Sequence, residues 1–316
     1  MKTTIALSAL ALLFSATAVH GQDDDVRVVQ LPVDWSVGTR YNLTVEKGRR
    51  ETQGDTVLRD MTSTTDVAAE VVEATDAGFI IRWTFNAVHL PETQPSDPIV
   101  DGITRLTEGM QLDLIADTHG TVHGLANTAE VREVLAEAVA MLRAGVVESG
   151  VDEQMVAGAL DPMVNAMLGE GMEGLVIKDA VLFSFPSGGT FVVGREQAYE
   201  DLLPFPLTGE MIPTNAAFLL ESVDDDAGTA VLTWRQTLDP EKTAEAVKTF
   251  LENMANKLGK EAAAELEGFT VDIRDEARFV YDLQTGLPRL VEHSRAMSTG
   301  PRSRVDSLRF EVLPPR

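Results

Sequence analysis

The chain has 316 residues, no cysteine, and 26 basic against 50 acidic residues, which gives a formal net charge of −24. The lack of cysteine excludes disulfides, thiolate metal ligands and cysteine nucleophiles. A surface this negative repels phosphate and therefore disfavours nucleic acid as a partner. A chain of this length buries enough apolar surface to fold without disulfides.

The N-terminus predicts a cleavable secretory signal peptide over residues 1–21. Lys2 provides a positive start, Ile5–Phe14 is almost entirely apolar, and the small residues that follow allow cleavage after Ala18 or after Gly21. The apolar stretch is shorter than the roughly 20 residues that span a bilayer, which argues against a retained anchor. We therefore expect a periplasmic or extracellular protein with no membrane span in the mature chain.

Strand-like alternation recurs along both halves of the mature chain. The clearest segment is Phe79–His89, which places its aromatic residues on one face. Short turns that contain aspartate and glycine separate the segments, so we predict antiparallel pairing. The other alternating segments are 110–114, 279–281, 290–294 and 308–312, and the turns are 76–78, 117–120, 226–228 and 285–286.

Three short motifs occur near the N-terminus: Trp35-x-x-Gly38-x-x-Tyr41, the hairpin at Gly78, and Asp117-x-x-Gly120-x-Val122. They resemble those of an uncharacterised family of secreted bacterial β-rich proteins. The resemblance covers about residues 28–142 and implies a fold without implying a reaction, because that family has no assigned activity or catalytic residues.

Helical periodicity marks three other segments. The first runs from a cap at Asn127 or Thr128 to Gly145, and the second covers about 152–168 with a predicted break at Asp161-Pro162. The third, 239–267, begins with the Asp239-Pro240 pair, which is typical of a helix start. Its apolar stripe comprises Val247, Phe250, Leu251, Met254, Leu258 and Ala262.

These patterns predict an α+β fold, with a curved antiparallel sheet and amphipathic helices covering one face. We divide the mature chain into a β-rich half over 22–170, with helices near 127–168, and a second over 171–316, with its helix near 239–267. Similar hairpins precede the strands of Trp83 and Trp234, which is consistent with a duplication but is also expected of any two hairpins.

One metal site can be drawn from the sequence. His119 and His123 flank the Gly120 turn, and Asp117 lies just upstream, so imidazole and carboxylate ligands occur close together. The alternative is that aspartate and glycine form the turn and the histidines are loop residues, and we favour it. The sequence therefore predicts no metal and no cofactor.

Nucleophilic and nucleotide chemistry has no motif here. No Gly-x-Ser-x-Gly, Ser-x-x-Lys, P-loop or dinucleotide fingerprint occurs, and we predict Gly169–Gly174 to be a plain connection. The segment from Arg274 to Arg316 carries eight arginines against six acidic residues. That local reversal of charge indicates either a face for an anionic group or cross-strand ion pairs.

Methionine-rich helical faces suggest one function. Methionine adapts to irregular apolar partners. Met141 and Met254, with Phe250 on the same helical stripe as Met254, are therefore candidate ligand contacts. The alternative is that these helical stripes pack against the sheet as ordinary core. We expect an exported, non-catalytic protein that binds an apolar or amphipathic ligand. The alternatives are a cell-envelope protein-interaction module and a hydrolase with a site that follows no motif.

Overall fold

The structure is a computed structural model of the chain. It describes residues 26–91, 104, 107–169, 171–205, 208–258 and 270–313. The predicted signal peptide lies outside these residues. The strands are β1 (Val28–Gln30), β2 (Arg40–Gln53), β3 (Thr56–Thr75), β4 (Gly78–His89), β5 (Gln111–Ala116), β6 (Val122–Leu125), β7 (Thr190–Val192), β8 (Glu196–Pro204), β9 (Met211–Asp224), β10 (Thr229–Leu238), β11 (Val271–Asp282), β12 (Pro288–Thr299) and β13 (Arg302–Leu313). The helices are α1 (Thr128–Glu148), α2 (Glu153–Leu168), α3 (Met172–Ser184) and α4 (Pro240–Leu258).

One 11-stranded antiparallel sheet dominates the fold. Its order is β6-β5-β4-β3-β2-β13-β12-β11-β10-β9-β8, so each half is a run of neighbouring strands and the halves join where β2 pairs with β13. Strands β1 and β7 form a separate two-stranded sheet. The prediction of an α+β fold built mainly on antiparallel strands is confirmed. The duplication stays a prediction, although the two similar hairpins are β3–β4 and β9–β10.

Close packing at Gly120 explains the motif that ends in Val122. The backbone of Gly120 has φ +78°, and its amide donates to the Asp117 carbonyl at 3.0 Å. A Cβ there would lie 2.7 Å from the ring of Trp35, which in turn contacts Phe79 at 5.4 Å between ring centroids. The N-terminal motifs therefore meet in one packed corner.

The main core lies on the face of the sheet that carries Trp83, Trp234, Ala277 and Phe310, here called the core face. Helix α3 packs there through Phe183, whose ring centroid is 5.3 Å from that of Phe310 and 5.8 Å from that of Trp83. The prediction of a plain connection over Gly169–Gly174 is wrong at its end, because α3 begins at Met172. This helix is apolar on most sides, although Leu175 is exposed, and so it lacks the stripe that periodicity detects.

A second cluster lies on the same face at the far ends of β9 to β12. Its buried members include Ile273, Leu238 and Val247 of α4, and Leu251 packs against it half-buried. The predicted helix over 239–267 is described only to Leu258, and the side chain of Met254 lies outside the described part.

Two predicted boundaries of the earlier helices are wrong. Helix α2 runs unbroken through Asp161-Pro162, and α1 passes Gly145 to end at Glu148. The Asp161 carboxylate pairs with Arg143 of α1, so the residue at the predicted break instead joins two helices. Among the described residues, no helix combines the length and apolar composition needed to cross a bilayer.

Candidate functional site, a groove across strands β8 to β12

A groove of about 490 Å³ crosses five neighbouring strands of the C-terminal half. This volume is within the range of small-molecule sites. The lining residues are Glu196, Ala217, Leu219, Thr233, Trp234, Arg235, Glu276, Ala277, Arg278, Glu292, His293 and Ser294.

Most of these side chains lie on the outer face of the sheet, opposite the core face. Thr233 lies directly opposite Leu219 on one side and Arg278 on the other. Because directly opposed residues in a sheet point to the same face, these three side chains share one face. Ala217 and Leu219, buried and half-buried, add apolar surface to the lining. An uncharged, partly apolar surface thus runs across β9 and β10.

Charges of both signs surround this surface. Arg235 donates to Glu196 at 2.7 Å, and Glu292 accepts from Arg309 at 2.5 Å. Arg278 lies 4.0 Å from Glu292 across the β11–β12 pair. Such exposed pairs contribute little to stability, but they offer donors and acceptors to a polar group bound beside them.

The remaining lining residues, Trp234, Ala277 and His293, alternate onto the core face. The indole Nε1 of Trp234 donates to the Tyr199 hydroxyl at 2.8 Å, and the Trp234 and His293 rings are 6.3 Å apart. Burial raises the pKa of Tyr199 to about 12, so its hydroxyl stays protonated at neutral pH. These contacts join β10 to β8 and to β12 on the face opposite the groove.

Directly behind the groove lies a buried carboxylate. The inward residues of β11 are apolar except for Asp275, whose side chain is 0 % exposed. It accepts from His293 Nε2 at 3.0 Å and from two nitrogens of Arg295 at 2.7 and 2.9 Å. Burial raises the pKa of Asp275, but the hydrogen bonds from His293 and Arg295 outweigh this and hold it below its ordinary value.

The histidine–aspartate pair has no nucleophile beside it. Within the part of the chain that the structure describes, His293 contacts the Asp275 carboxylate and the Trp234 ring, and no hydroxyl bonds to its imidazole. Ser294 is the adjacent residue, but it faces the groove side of the sheet. The geometry thus supports binding across the outer face more than covalent chemistry at His293.

The aromatic core leaves little room for a ligand. A cavity lined by Trp35, Tyr41, Trp83 and Phe183, among others, has about 10 Å³, near the minimum for one water. Of the helical ligand candidates, Met141 is exposed on α1 and Phe250 is half-buried on α4. Neither lines the groove.

The predicted metal candidates form a turn. The Asp117 carboxylate accepts from the backbone amides of His119 and Thr121 at 2.8 and 3.0 Å, and both histidines are exposed. Among the described residues, no group of three or more histidine, aspartate or glutamate side chains lies close enough to hold a metal.

Sequence reasoning did not find the groove, because its residues come from five strands and no motif joins them. The one available signal was the charge reversal in the C-terminal segment, which contains Arg278, Glu292 and His293. The segment contains part of the charged lining, but Glu196, Arg235 and the apolar residues of β9 lie outside it.

No protein-family model and no curated protein matches this sequence. Among solved structures, a lipovitellin structure reported for its lipid–protein interactions has a TM-score of 0.46 and 8% identity. The alignment covers 89% of this chain and 26% of that one, so this chain spans about a quarter of lipovitellin. An outer membrane channel from Pseudomonas putida F1 has a TM-score of 0.15 at 8% identity, with 89% and 97% of the two chains covered. Scores this low carry no argument about function.

Proposed function

We propose that the protein is an exported, non-catalytic binding protein whose amphipathic ligand lies in the groove across β8 to β12. The groove itself is the observation that supports the proposal, since it combines a volume suited to a small molecule with apolar surface and charged neighbours. The apolar part of the ligand contacts Leu219 and Ala217. Its polar part lies against Arg278 and Glu276.

Charge explains why an amphipathic ligand fits better than a purely apolar one. The side chains of Arg235, Arg278 and Glu292 are between about two-fifths and two-thirds exposed, so they keep most of their hydration when the groove is empty. A wholly apolar ligand that covered them would remove that hydration without replacement, which costs free energy. A ligand with a polar or zwitterionic group replaces the lost hydrogen bonds.

Binding of a dansyl-labelled undecanoic acid, measured by fluorescence titration, tests this function. Leu219→Asn should weaken binding about tenfold, because it removes apolar contact from the lining. Leu202→Asn is the matched control, since Leu202 is exposed on the neighbouring strand β8 and does not line the groove. Absence of binding by the wild-type protein, or an equal loss in the two variants, would contradict the proposal.

Export rests on the N-terminal pattern of Lys2, Ile5–Phe14 and the small residues at Ala18 and Gly21. The mature protein should begin near Gln22, as determined by N-terminal sequencing of protein recovered outside the cytoplasm. Recovery of a chain that begins at Met1 from that fraction would argue against cleavage.

A cell-envelope interaction module is the second candidate, and exposed apolar side chains around the α1–α2 turn favour it. These are Met141, Val147, Val151 and Met155. Association with an envelope protein should be lost in Met155→Glu and retained in Leu175→Glu, which alters an exposed apolar residue of α3. Quantitative co-purification from the host envelope measures this difference.

A further inference from the structure

A ladder of alternating charges crosses the core face between the two apolar clusters. Asp275, Arg295, Asp306 and Arg49 occupy directly paired positions on β11, β12, β13 and β2. The ladder crosses the β13–β2 pair, where the halves of the sheet join. It lies on the face opposite the groove and does not depend on it.

Each carboxylate of the ladder fixes the plane of the guanidinium groups around it. Asp306 accepts from Arg49 Nε at 2.8 Å and from Arg304 Nε at 3.0 Å and Nη2 at 2.6 Å. Asp275 holds Arg295 through two parallel bonds. Because these forks are oriented by partly or fully buried acids, little side-chain entropy remains to be lost when a further group binds.

The three guanidinium groups keep unused donors. Arg295 and Arg304 each engage Nε and Nη2, and Arg49 engages Nε, so at least one terminal nitrogen of each has no partner among the described residues. Their side chains are 43%, 33% and 41% exposed, respectively, which leaves those nitrogens within reach of solutes.

Local charge also favours an anion. Glu51 is paired with Arg304, and Arg59 is paired with Glu51, so this part of the core face carries four guanidinium groups against three carboxylates, although the chain as a whole has a net charge of −24. Arg49 and Arg304 both approach the same oxygen of Asp306, so two positive groups share one negative partner. A bound anion would reduce their mutual repulsion.

We infer that Arg49, Arg295 and Arg304 form a binding site for a phosphoryl group. Arg295 lies directly opposite Asp306, whose carboxylate holds Arg49 and Arg304, so guanidinium groups from three adjacent strands can meet the several oxygens of a tetrahedral anion. A carboxylate, in contrast, is satisfied by a single fork. The group is either inorganic phosphate or the phosphate of a larger molecule. No bond forms or breaks, so the site binds without reaction.

Isothermal titration calorimetry of the full mature chain with inorganic phosphate, at constant ionic strength set with chloride, tests the site. Arg304→Gln should weaken phosphate binding at least about tenfold, equivalent to about 1.4 kcal/mol. Arg40→Gln is the matched control, because Arg40 lies on the same strand as Arg49, faces the other side of the sheet, pairs with Glu70 and is on no strand of the groove. The control variant should bind phosphate with the same affinity as the wild type.

Titration of dodecyl phosphate, below its aggregation limit, identifies the source of the group. Much tighter binding of dodecyl phosphate than of inorganic phosphate, with the same loss in Arg304→Gln, supports the site and indicates an amphiphile headgroup. Equal affinities support the site and indicate free phosphate.

A purely structural ladder predicts different results. No phosphate binding by the wild type, or equal weakening in Arg304→Gln and Arg40→Gln, would overturn the inference. Arg49→Gln and the charge-conserving Arg304→Lys are measured in parallel, with circular dichroism to verify folding. Arg304→Lys should bind more weakly than wild type, because lysine lacks the planar fork.

Discussion

Replacing the buried carboxylate Asp275 with asparagine tests how the strands behind the groove are held. The wild-type side chain accepts three charge-assisted hydrogen bonds from His293 and Arg295, whereas the asparagine carbonyl accepts fewer and carries no charge. Breaking a buried charged pair by changing one partner costs about 3–5 kcal/mol. Since Arg295 is 43% exposed and can be hydrated again, we expect the lower end, about 3 kcal/mol.

Urea denaturation at pH 7 measures this difference, with Glu292→Gln as the control. Glu292 is 43% exposed and pairs with Arg309, so its loss should cost no more than about 1 kcal/mol. A loss below about 1 kcal/mol in Asp275→Asn would refute the reasoning. It would mean that the hydrogen bonds only balance the cost of burying the charge.

The difference in stability between wild type and Asp275→Asn should depend on pH. The pKa of Asp275 is lowered in the folded state, so its ionised form stabilises the fold above the unfolded pKa of about 3.9. That stabilisation is lost as the pH falls through the folded pKa. The gap between the stabilities of wild type and Asp275→Asn should therefore narrow below about pH 4. A gap that closes already near pH 6 would indicate a different titrating group.

Three further substitutions test the packing, each by urea denaturation. Phe183→Ala should cost about 3–5 kcal/mol, because this buried ring contacts aromatic residues of three strands. Leu251→Ala should cost about 1–2.5 kcal/mol, roughly half the value for a buried leucine, since the side chain is half-buried. Gly120→Ala should cost more than Gly54→Ala, which should lose about 1–2 kcal/mol, because both have positive φ but only Gly120 lies against Trp35. Equal losses for the two glycines would contradict the packing at Gly120.

Local patterns predicted the elements whose signals are short-range. The alternation of Phe79–His89 places alternate residues on two faces, and β4 occupies these same residues. The Asp239-Pro240 pair marks the start of α4, because the aspartate carboxylate accepts from the backbone amide of Lys242 and proline fits the first turn. Helix α3 escaped prediction because its apolar residues lie on most sides of the helix, which leaves no amphipathic periodicity.

The sequence by itself therefore determined the mainly antiparallel α+β class and the turns at Gly78, Gly120 and Gly228, since these depend on residues near one another in the chain. Only the tertiary structure decided which strands are neighbours. The pairing of β2 with β13 brings Arg49 beside Asp306 across 257 positions, and the order β12–β11–β10–β9–β8 assembles the groove. Side-chain alternation specifies a face but carries no information about the partner strand, because any register that keeps apolar residues on one face buries a similar area. Both candidate sites depend on strand order, which is why neither has a sequence motif.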